Sequence, residues 1–366
     1  MSPDSDHPLR EGSSRQKSPT GLTGKERESS GISAMVLAAG LGTRLLPLTW
    51  LRAKPAVPFL GRPLIHDSID LITELNPEAV VVNLHHLPDT VITAVKQYRG
   101  HPIDPGEPLE IVFSEEAEIL GTAGGVRYAA ALLEADHIVV INGKIYSDLE
   151  LSSVLSFHCR KEALVTLVVV PFEAGSSFNP VRVGVDGRVL GFGPQGPGKP
   201  YTFTGIQMMK HQVLGEIPSG KSDLVKDVYP TLIEKQHRVL AYVSSNLWYE
   251  CSTPWRYLQG SLLLRSKRAT ELTLQEEQPA ECGLIAGTGC SIGTGSQVRD
   301  TILWEGVEIG KNCRVSNAII CSGVRIPDHS LLSDVIATPR IDPGSISPVT
   351  QPLEEKGYLV WPLRPE

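Results

Sequence analysis

The sequence predicts an α/β domain with a mostly parallel sheet, followed by a short left-handed parallel β-helix. Three observations lead there. Short apolar runs alternate with amphipathic helical stretches between residues 31 and 265. The strand-like runs are apolar on both faces, as in a sheet covered by helices on two sides. After Glu281 the spacing of apolar residues changes to an interval of about six, the mark of a hexapeptide solenoid. A chain of 366 residues is long enough for two or three domains, and 41% hydrophobic residues can fill a substantial core.

The elements follow in chain order. Residues 1–30 are polar and nearly free of large apolar groups, so nothing there offsets the entropy of ordering, and a disordered tail is expected. SAMVLAAG from Ser33 reads as a strand running into a glycine-rich turn. Then come PLIHDSIDLITEL as helix, AVVVNLH as strand, LPDTVITAVKQYR as helix, LEIVFSE as strand, TAGGVRYAAALLE as helix and HIVVINGK as strand. LSSVLSFHCRKE is helical, ALVTLVVVPF a strand, LVKDVYPTLIEKQ a helix and HRVLAYVSS a strand. A sheet of this kind binds its ligand beyond the carboxyl ends of its strands, which directs attention to the loops after Ala38, Phe113, Ile141 and Ser244.

Residues 266–340 are expected to hold a linker and the β-helix. Leu303, Ile309, Val315 and Cys321 are in phase, Ile292 and Val298 form an earlier pair shifted by one, and Ile326 is a later slip. At about eighteen residues per turn, 285–326 spans little more than two turns, so the solenoid should pack on the α/β domain or on another subunit. The last segment, 341–366, carries YLVWPLRP and is expected to dock on something.

Composition excludes several function classes. With 41 acidic against 34 basic residues the formal charge is −7, so a protein devoted to a nucleic-acid backbone is not expected, although a local anion site is. No stretch of about 18 apolar residues could span a bilayer, and the first thirty residues lack the apolar core of a signal peptide, so the expectation is a soluble, cytoplasmic protein with no membrane partner. Cys159, Cys251, Cys282, Cys290, Cys313 and Cys321 contain no C-x-x-C pair, which makes buried free thiols the default.

Most of the chemical information lies in MVLAAGLGTRLLPLTWLRAKPAVPFLGRPLI, residues 35–65. A buried strand enters Ala38, Ala39, Gly40, Leu41, Gly42 and Thr43, mostly small residues whose backbone N–H groups can wrap an anion. Arg44 and Lys54 then bring positive charge. The loop is not a Walker motif, which would end in Gly-Lys-Ser/Thr, and it lacks the third glycine of a dinucleotide fingerprint.

With these residues in view, the sequence resembles the sugar-nucleotide pyrophosphorylases, in particular the mannose-1-phosphate guanylyltransferase-like branch, over about residues 33–330. The signature GxGTRxxPLT followed by KPxxPxxGxPL is nearly complete. EEAEILGTAGG (115–125), FTGIQMM (203–209) and DVYPTLIEKQHRVLAYV (227–243) are similar as well. The resemblance implies a Rossmann-like nucleotidyltransferase domain. It places nucleotide binding on Leu37, Ala39, Gly40, Gly42, Thr43 and Arg44 and on Gly121, Thr122, Ala123 and Gly124. Arg44 and Lys54 become the catalytic phosphate contacts, and the sugar side falls on Asn142, Gly205 and Lys199. The implied reaction is in-line attack by a sugar 1-phosphate on the α-phosphorus of a nucleoside triphosphate, with GTP and a mannose 1-phosphate-like substrate favoured. A homo-oligomer or a related catalytic subunit is the expected partner.

Two departures concern the Mg²⁺ that the resemblance implies. The family's Asn-Gly-Asp reads Asn142, Gly143, Lys144 here, and the second metal aspartate is replaced by Glu250. A lysine reverses the charge, so two-carboxylate Mg²⁺ coordination is not expected. Lys144 is then a surface residue, a cation standing where the metal stood, or the mark of a binding or regulatory paralogue or of an altered protein. Asp148 is a candidate displaced ligand. His85 and His86 lack spaced ligand partners and read as loop residues; Glu115, Glu116 and Glu118 read as a solvated run, one of which could contact a ribose or guanine edge. Asp223 and Asp227 read as surface charges, with a sugar-pocket role for Asp223 as the alternative. A sugar acyltransferase is the least favoured class, because only His329 lies in the repeat region.

Overall fold

The computed structural model describes residues 31–99, 109–175, 178–272, 283–341, 352–355 and 357–364. The tail expected over residues 1–30, most of the linker and Cys282 lie outside them.

A nine-stranded sheet forms the first layer. Its main order is Val189–Phe192, Pro180–Val183, Lys199–Lys210, His137–Asn142, Ile32–Leu37, Ala79–Leu84 and Ile111–Glu115, with Val165–Pro171 and Val239–Val243 branching from Lys199–Lys210. The four strands from His137–Asn142 to Ile111–Glu115 are parallel. The sheet as a whole is mixed. Lys199–Lys210, to which the pattern of apolar runs assigns nothing, runs antiparallel to three neighbours. Strand direction is a tertiary property that alternation of apolar runs does not encode. Two apolar clusters cover the two faces, one built on Met35, Val140 and Tyr229, the other on Val36, Ile69 and Ile141.

Register brings the carboxyl ends of the central strands level. Leu37 pairs with Asn142, and Asn83 with Ser114, so the chain leaves four neighbouring strands at one edge. Beyond it, the short strand Ile145–Ser147 pairs antiparallel with Trp248–Glu250, setting Glu250 opposite Ile145.

The second unit is the left-handed β-helix. Its coils register as Ile285, Ile302, Ile319 and Ile336 and as Ile292, Ile309 and Ile326. Side chains one coil apart, such as Ser316 with Ser333 and Ser322 with Glu305, are separated by 17 residues. The expected turn of eighteen is therefore one residue too long, and the apparent shift at Ile292 and slip at Ile326 disappear. Ile320, not Cys321, stacks inside with Leu303, Ile309 and Val315.

Cys321 instead faces a third cluster, with Ile302, Trp304 and Ile319 from the coils and Leu45, Leu48, Phe59, Tyr257 and Leu258 from the α/β domain. The solenoid thus docks on its own chain. Helix Pro254–Leu272 packs on three coil strands, and the Trp304 indole donates to the Tyr257 hydroxyl at 3.1 Å. Arg52 bridges the junction with its two terminal guanidinium nitrogens on Glu305, at 3.1 and 2.7 Å, and a third bond from Nη2 to Ser322. The C-terminal strand Tyr358–Pro362 pairs antiparallel with Leu331–Pro339, and Trp361 packs against Trp50 with ring centroids 5.2 Å apart. Among the described cysteines Cys251, Cys313 and Cys321 are buried free thiols, Cys290 is half-buried and Cys159 is exposed. The expectation of burial therefore fails at Cys159, on the outer side of helix Leu151–Arg160.

Candidate active site

A cavity of about 330 Å³ opens at the carboxyl edge of the parallel strands. Its lining includes Leu37, Ala39, Gly40, Gly42, Thr43, Arg44, Lys54, Asn83, Gly121, Thr122, Asn142 and Lys144, residues drawn from five separate stretches of sequence.

The glycine-rich turn has its shape for a local reason. Gly42 adopts φ 65°, where a side chain is strained, and a Cβ there would lie 2.8 Å from the Thr49 methyl and 3.3 Å from Lys54 Cβ. Its carbonyl accepts from the Thr49 hydroxyl at 3.0 Å, and the chain turns into the short helix Thr43–Leu45, which carries Arg44. Leu45 and Leu48 then anchor the turn in the cluster shared with the β-helix. Lys54 opens another helical turn and is 6% exposed.

Two residues of this wall were not foreseen in their roles. Asn83 is the penultimate residue of the buried strand Ala79–Leu84; its Oδ1 accepts the Ala38 N–H at 2.6 Å and its Nδ2 donates to Glu116 at 2.7 Å. Glu116 is 3% exposed, and its second oxygen accepts the Leu120 N–H. The reading of Glu115, Glu116 and Glu118 as a solvated run holds for the first and third only. An asparagine near the end of an apolar strand was the available signal, since a buried amide must find partners.

Gly121 and Thr122 reach the cavity, whereas Ala123 and Gly124 lie behind it, their N–H groups donating to the Ser222 carbonyl. The Thr122 hydroxyl donates to Asp223, which also accepts two N–H groups of the following helical turn. Asp227 accepts the Asp223 N–H. Gly205 does not line the cavity but packs under it: a Cβ there would fall 2.2 Å from Asn142 Nδ2. Lys199 is exposed, with its ammonium over the Tyr201 ring, and is not part of the lining. His85 and His86 bond to main-chain carbonyls of Glu116 and Thr49, as befits loop residues. Asp148 accepts the Leu247 N–H and does not reach the cavity. His329 is exposed in the repeat region, with its N–H on the Lys311 carbonyl.

Electrostatics centre on Glu250. One of its oxygens accepts from Lys144 Nζ at 3.0 Å and from Arg44 Nη2 at 3.2 Å. Burial alone would push this carboxyl up, but Lys144, Lys54 and Arg44 hold it below its ordinary value. Lys54 is lowered to about 8, first by burial and then by the Lys144 ammonium, with Glu250 offsetting part of the effect. Burial pushes the thiol of the adjacent Cys251 well up, against the lowering effect of Lys54, and it stays a thiol. Among the described residues no group of three His, Cys, Asp or Glu side chains could hold a metal ion. The residues at the place where the resemblance implies Mg²⁺ do not fit one: the carboxylate there is already shared between two cations.

Comparison with known proteins agrees with this architecture. The family model described as Nucleotidyl transferase matches residues 33–267, and that described as GlmU-like, C-terminal hexapeptide, matches residues 283–333. The mannose-1-phosphate guanylyltransferase of Mycobacterium tuberculosis is 27% identical over 75% of this chain and 80% of its own length. The mannose-1-phosphate guanylyltransferase catalytic subunit beta of Drosophila melanogaster is 26% identical over 69% of each chain. Among solved structures, HddC from Yersinia pseudotuberculosis aligns with a TM-score of 0.53 at 20% identity, covering 63% of this chain and 99% of that one, and shares the fold.

Proposed function

The chain belongs to the nucleotidyl transferase family, and from that premise we propose that it joins a nucleoside triphosphate, GTP in preference, to a sugar 1-phosphate of the mannose 1-phosphate type. The reaction yields an NDP-sugar and pyrophosphate. The observation that carries this reading is the cavity in which Arg44 and Lys54 share a wall with the backbone of the glycine-rich turn.

In this reading an oxygen of the sugar phosphate bonds to the α-phosphorus while the bridging oxygen departs with pyrophosphate. No protein nucleophile is needed, because the acceptor phosphate is one. The turn at Ala39, Gly40, Gly42 and Thr43 offers N–H groups to the triphosphate. Arg44 and Lys54 neutralise charge as two anions approach, and a fixed arrangement of cations does so without reorganisation. Leu37, Gly121 and Thr122 bound the nucleoside, with Ala123 and Gly124 shaping the loop from behind. Asn142, braced by Gly205, faces the sugar side; Lys199 would join only by moving from its place over Tyr201. The relatives named above support the preference for guanine and mannose. Family membership suggests a divalent-metal-using reaction in general; among this chain's own residues the charge neutralisation falls to Arg44 and Lys54. We further propose a cytoplasmic homo-oligomer.

A second reading, a regulatory subunit that binds a sugar nucleotide without turning it over, is favoured by the ion pair of Lys144 with Glu250. A panel of nucleoside triphosphates and sugar 1-phosphates, with pyrophosphate release measured with and without Mg²⁺, separates the two. Release with GTP and mannose 1-phosphate is expected. No release with any pair, together with calorimetric binding of GDP-mannose, would replace the first reading by the second.

A further inference from the structure

Lys144 occupies a built position rather than a surface one. Gly143 ties its N–H to the Leu37 carbonyl at 3.0 Å, which fixes the exit from strand His137–Asn142. The antiparallel pairing of Glu250 with Ile145 then sets the carboxylate beside the lysine. The Glu250 side chain is 7% exposed and the Lys144 side chain 30% exposed, and Lys144 lines the cavity, so the carboxylate is an anchor behind the lining and the lysine reaches the cavity. Arg44 shares the same carboxylate oxygen, and Lys54 lies within electrostatic range of both groups.

The carboxylate that does line the cavity, Glu116, has one oxygen taken by Asn83 and the other by the Leu120 N–H. A divalent ion here would therefore meet Glu116 with both oxygens bonded, Glu250 with one oxygen shared by two cations, and three cations around it, and Mg²⁺ demands close oxygen ligands in a near-octahedral set. An ammonium with three donors suits phosphate oxygens in the same place.

We propose that Lys144, anchored on Glu250, takes the place of a protein-held divalent cation at the phosphates, so that this site binds a nucleoside triphosphate in its metal-free form. The proposal rests on the nucleotide-binding reading of the cavity and adds the ionic form of the ligand. It makes nucleotide affinity independent of Mg²⁺, or weaker in its presence, because a chelated ion brings positive charge toward Arg44, Lys54 and Lys144.

Calorimetric titration of the full chain with GTP, UTP and dTTP, in EDTA and in excess Mg²⁺, tests it. The native protein should bind at least one of them in EDTA as tightly as in Mg²⁺ or more tightly. Lys144→Asp should weaken binding in EDTA by about tenfold or more, with Mg²⁺ restoring part of the loss. Lys144→Met should be weakened in both, and Mg²⁺ should restore nothing. Circular dichroism melts establish that each variant folds, and if Lys144→Asp does not, the native and Lys144→Met titrations decide alone. Native binding that is about tenfold weaker in EDTA than in Mg²⁺, or Lys144→Met binding like the native chain, overturns the proposal and leaves the nucleotide reading standing. Binding of no triphosphate under either condition overturns both.

Discussion

Lys54 gives the site a pH dependence whose size follows from its surroundings. Burial first, and then the Lys144 and Arg44 cations, lower its pKa to about 8, while Glu250 and Cys251 act in the opposite direction. In the free protein the ammonium form should account for about nine-tenths of the molecules near pH 7 and about one-tenth near pH 9. If phosphate binding requires the ammonium, affinity for GTP falls about tenfold over that range, a loss of about 1.4 kcal/mol. Fluorescence or calorimetric titration at intervals of half a pH unit would trace it, and proton uptake on binding should be greatest above pH 8. Lys54→Met should remove the slope and cost about 1.5–3 kcal/mol of binding near pH 7, the range for a hydrogen bond to a charged group. The effect on the empty fold has the opposite sense. The unfolded lysine keeps its ordinary value of 10.5, so the unfolded chain binds more protons between about 8 and 10.5, and this group's contribution to stability rises with pH through that window. A native affinity that stays level from pH 7 to 9, or a Lys54→Met variant with an unchanged slope, would refute the assignment of Lys54 to the phosphates.

Three further outcomes concern the frame around the site. Trp304→Ala empties a fully buried position and removes the donor to Tyr257, so urea denaturation should show a loss of about 3–5 kcal/mol; a loss below about 1 kcal/mol would mean the junction does not share a core. Gly205→Ala should lower the thermal midpoint by an amount equivalent to about 1–3 kcal/mol, because its φ is 81° and its Cβ would meet Asn142, and an unchanged midpoint would count against the close packing. A chain ending at residue 272 should expose Leu45, Leu48, Phe59, Tyr257 and Leu258, melt lower and self-associate in light scattering; the same subunit count and midpoint as the full chain would show the solenoid to be an independent appendage.

What could be read in the sequence divides along physical lines. The glycine-rich turn was legible because its demand is local: Gly42 must take a positive φ and admit Thr49 seven residues away. The Lys144 and Glu250 positions were legible as chemistry, but their mutual contact depends on a two-stranded pairing across 106 residues. Asn83 and Glu116 illustrate what was not legible. Each finds its partner 33 residues away, and a carboxylate beside two other acidic residues looks solvated until the strand that buries it is in place. The solenoid failed in a different way. Its existence followed from the spacing of apolar residues, but a count by sixes drifts against coils of 17 residues, and it assigned Cys321 to an interior that Ile320 fills.

The coil length also governs how this protein can change size. Strand Tyr358–Pro362 runs against the direction of every coil strand and occupies the hydrogen-bonding edge of the last one, Leu331–Pro339. A parallel stack that could otherwise take on another copy of itself at that edge meets a partner of the wrong polarity. Growth at this end is thereby stopped, and lengthening is confined to insertions upstream of the cap. Such insertions come in whole steps: one of 17 residues, or a multiple of it, leaves the column of Ile292, Ile309 and Ile326 in register, whereas one of another length shifts it. The repeat can be extended as a ratchet, one tooth at a time, without any change in the sequence of the two helical turns that carry Arg44 and Lys54.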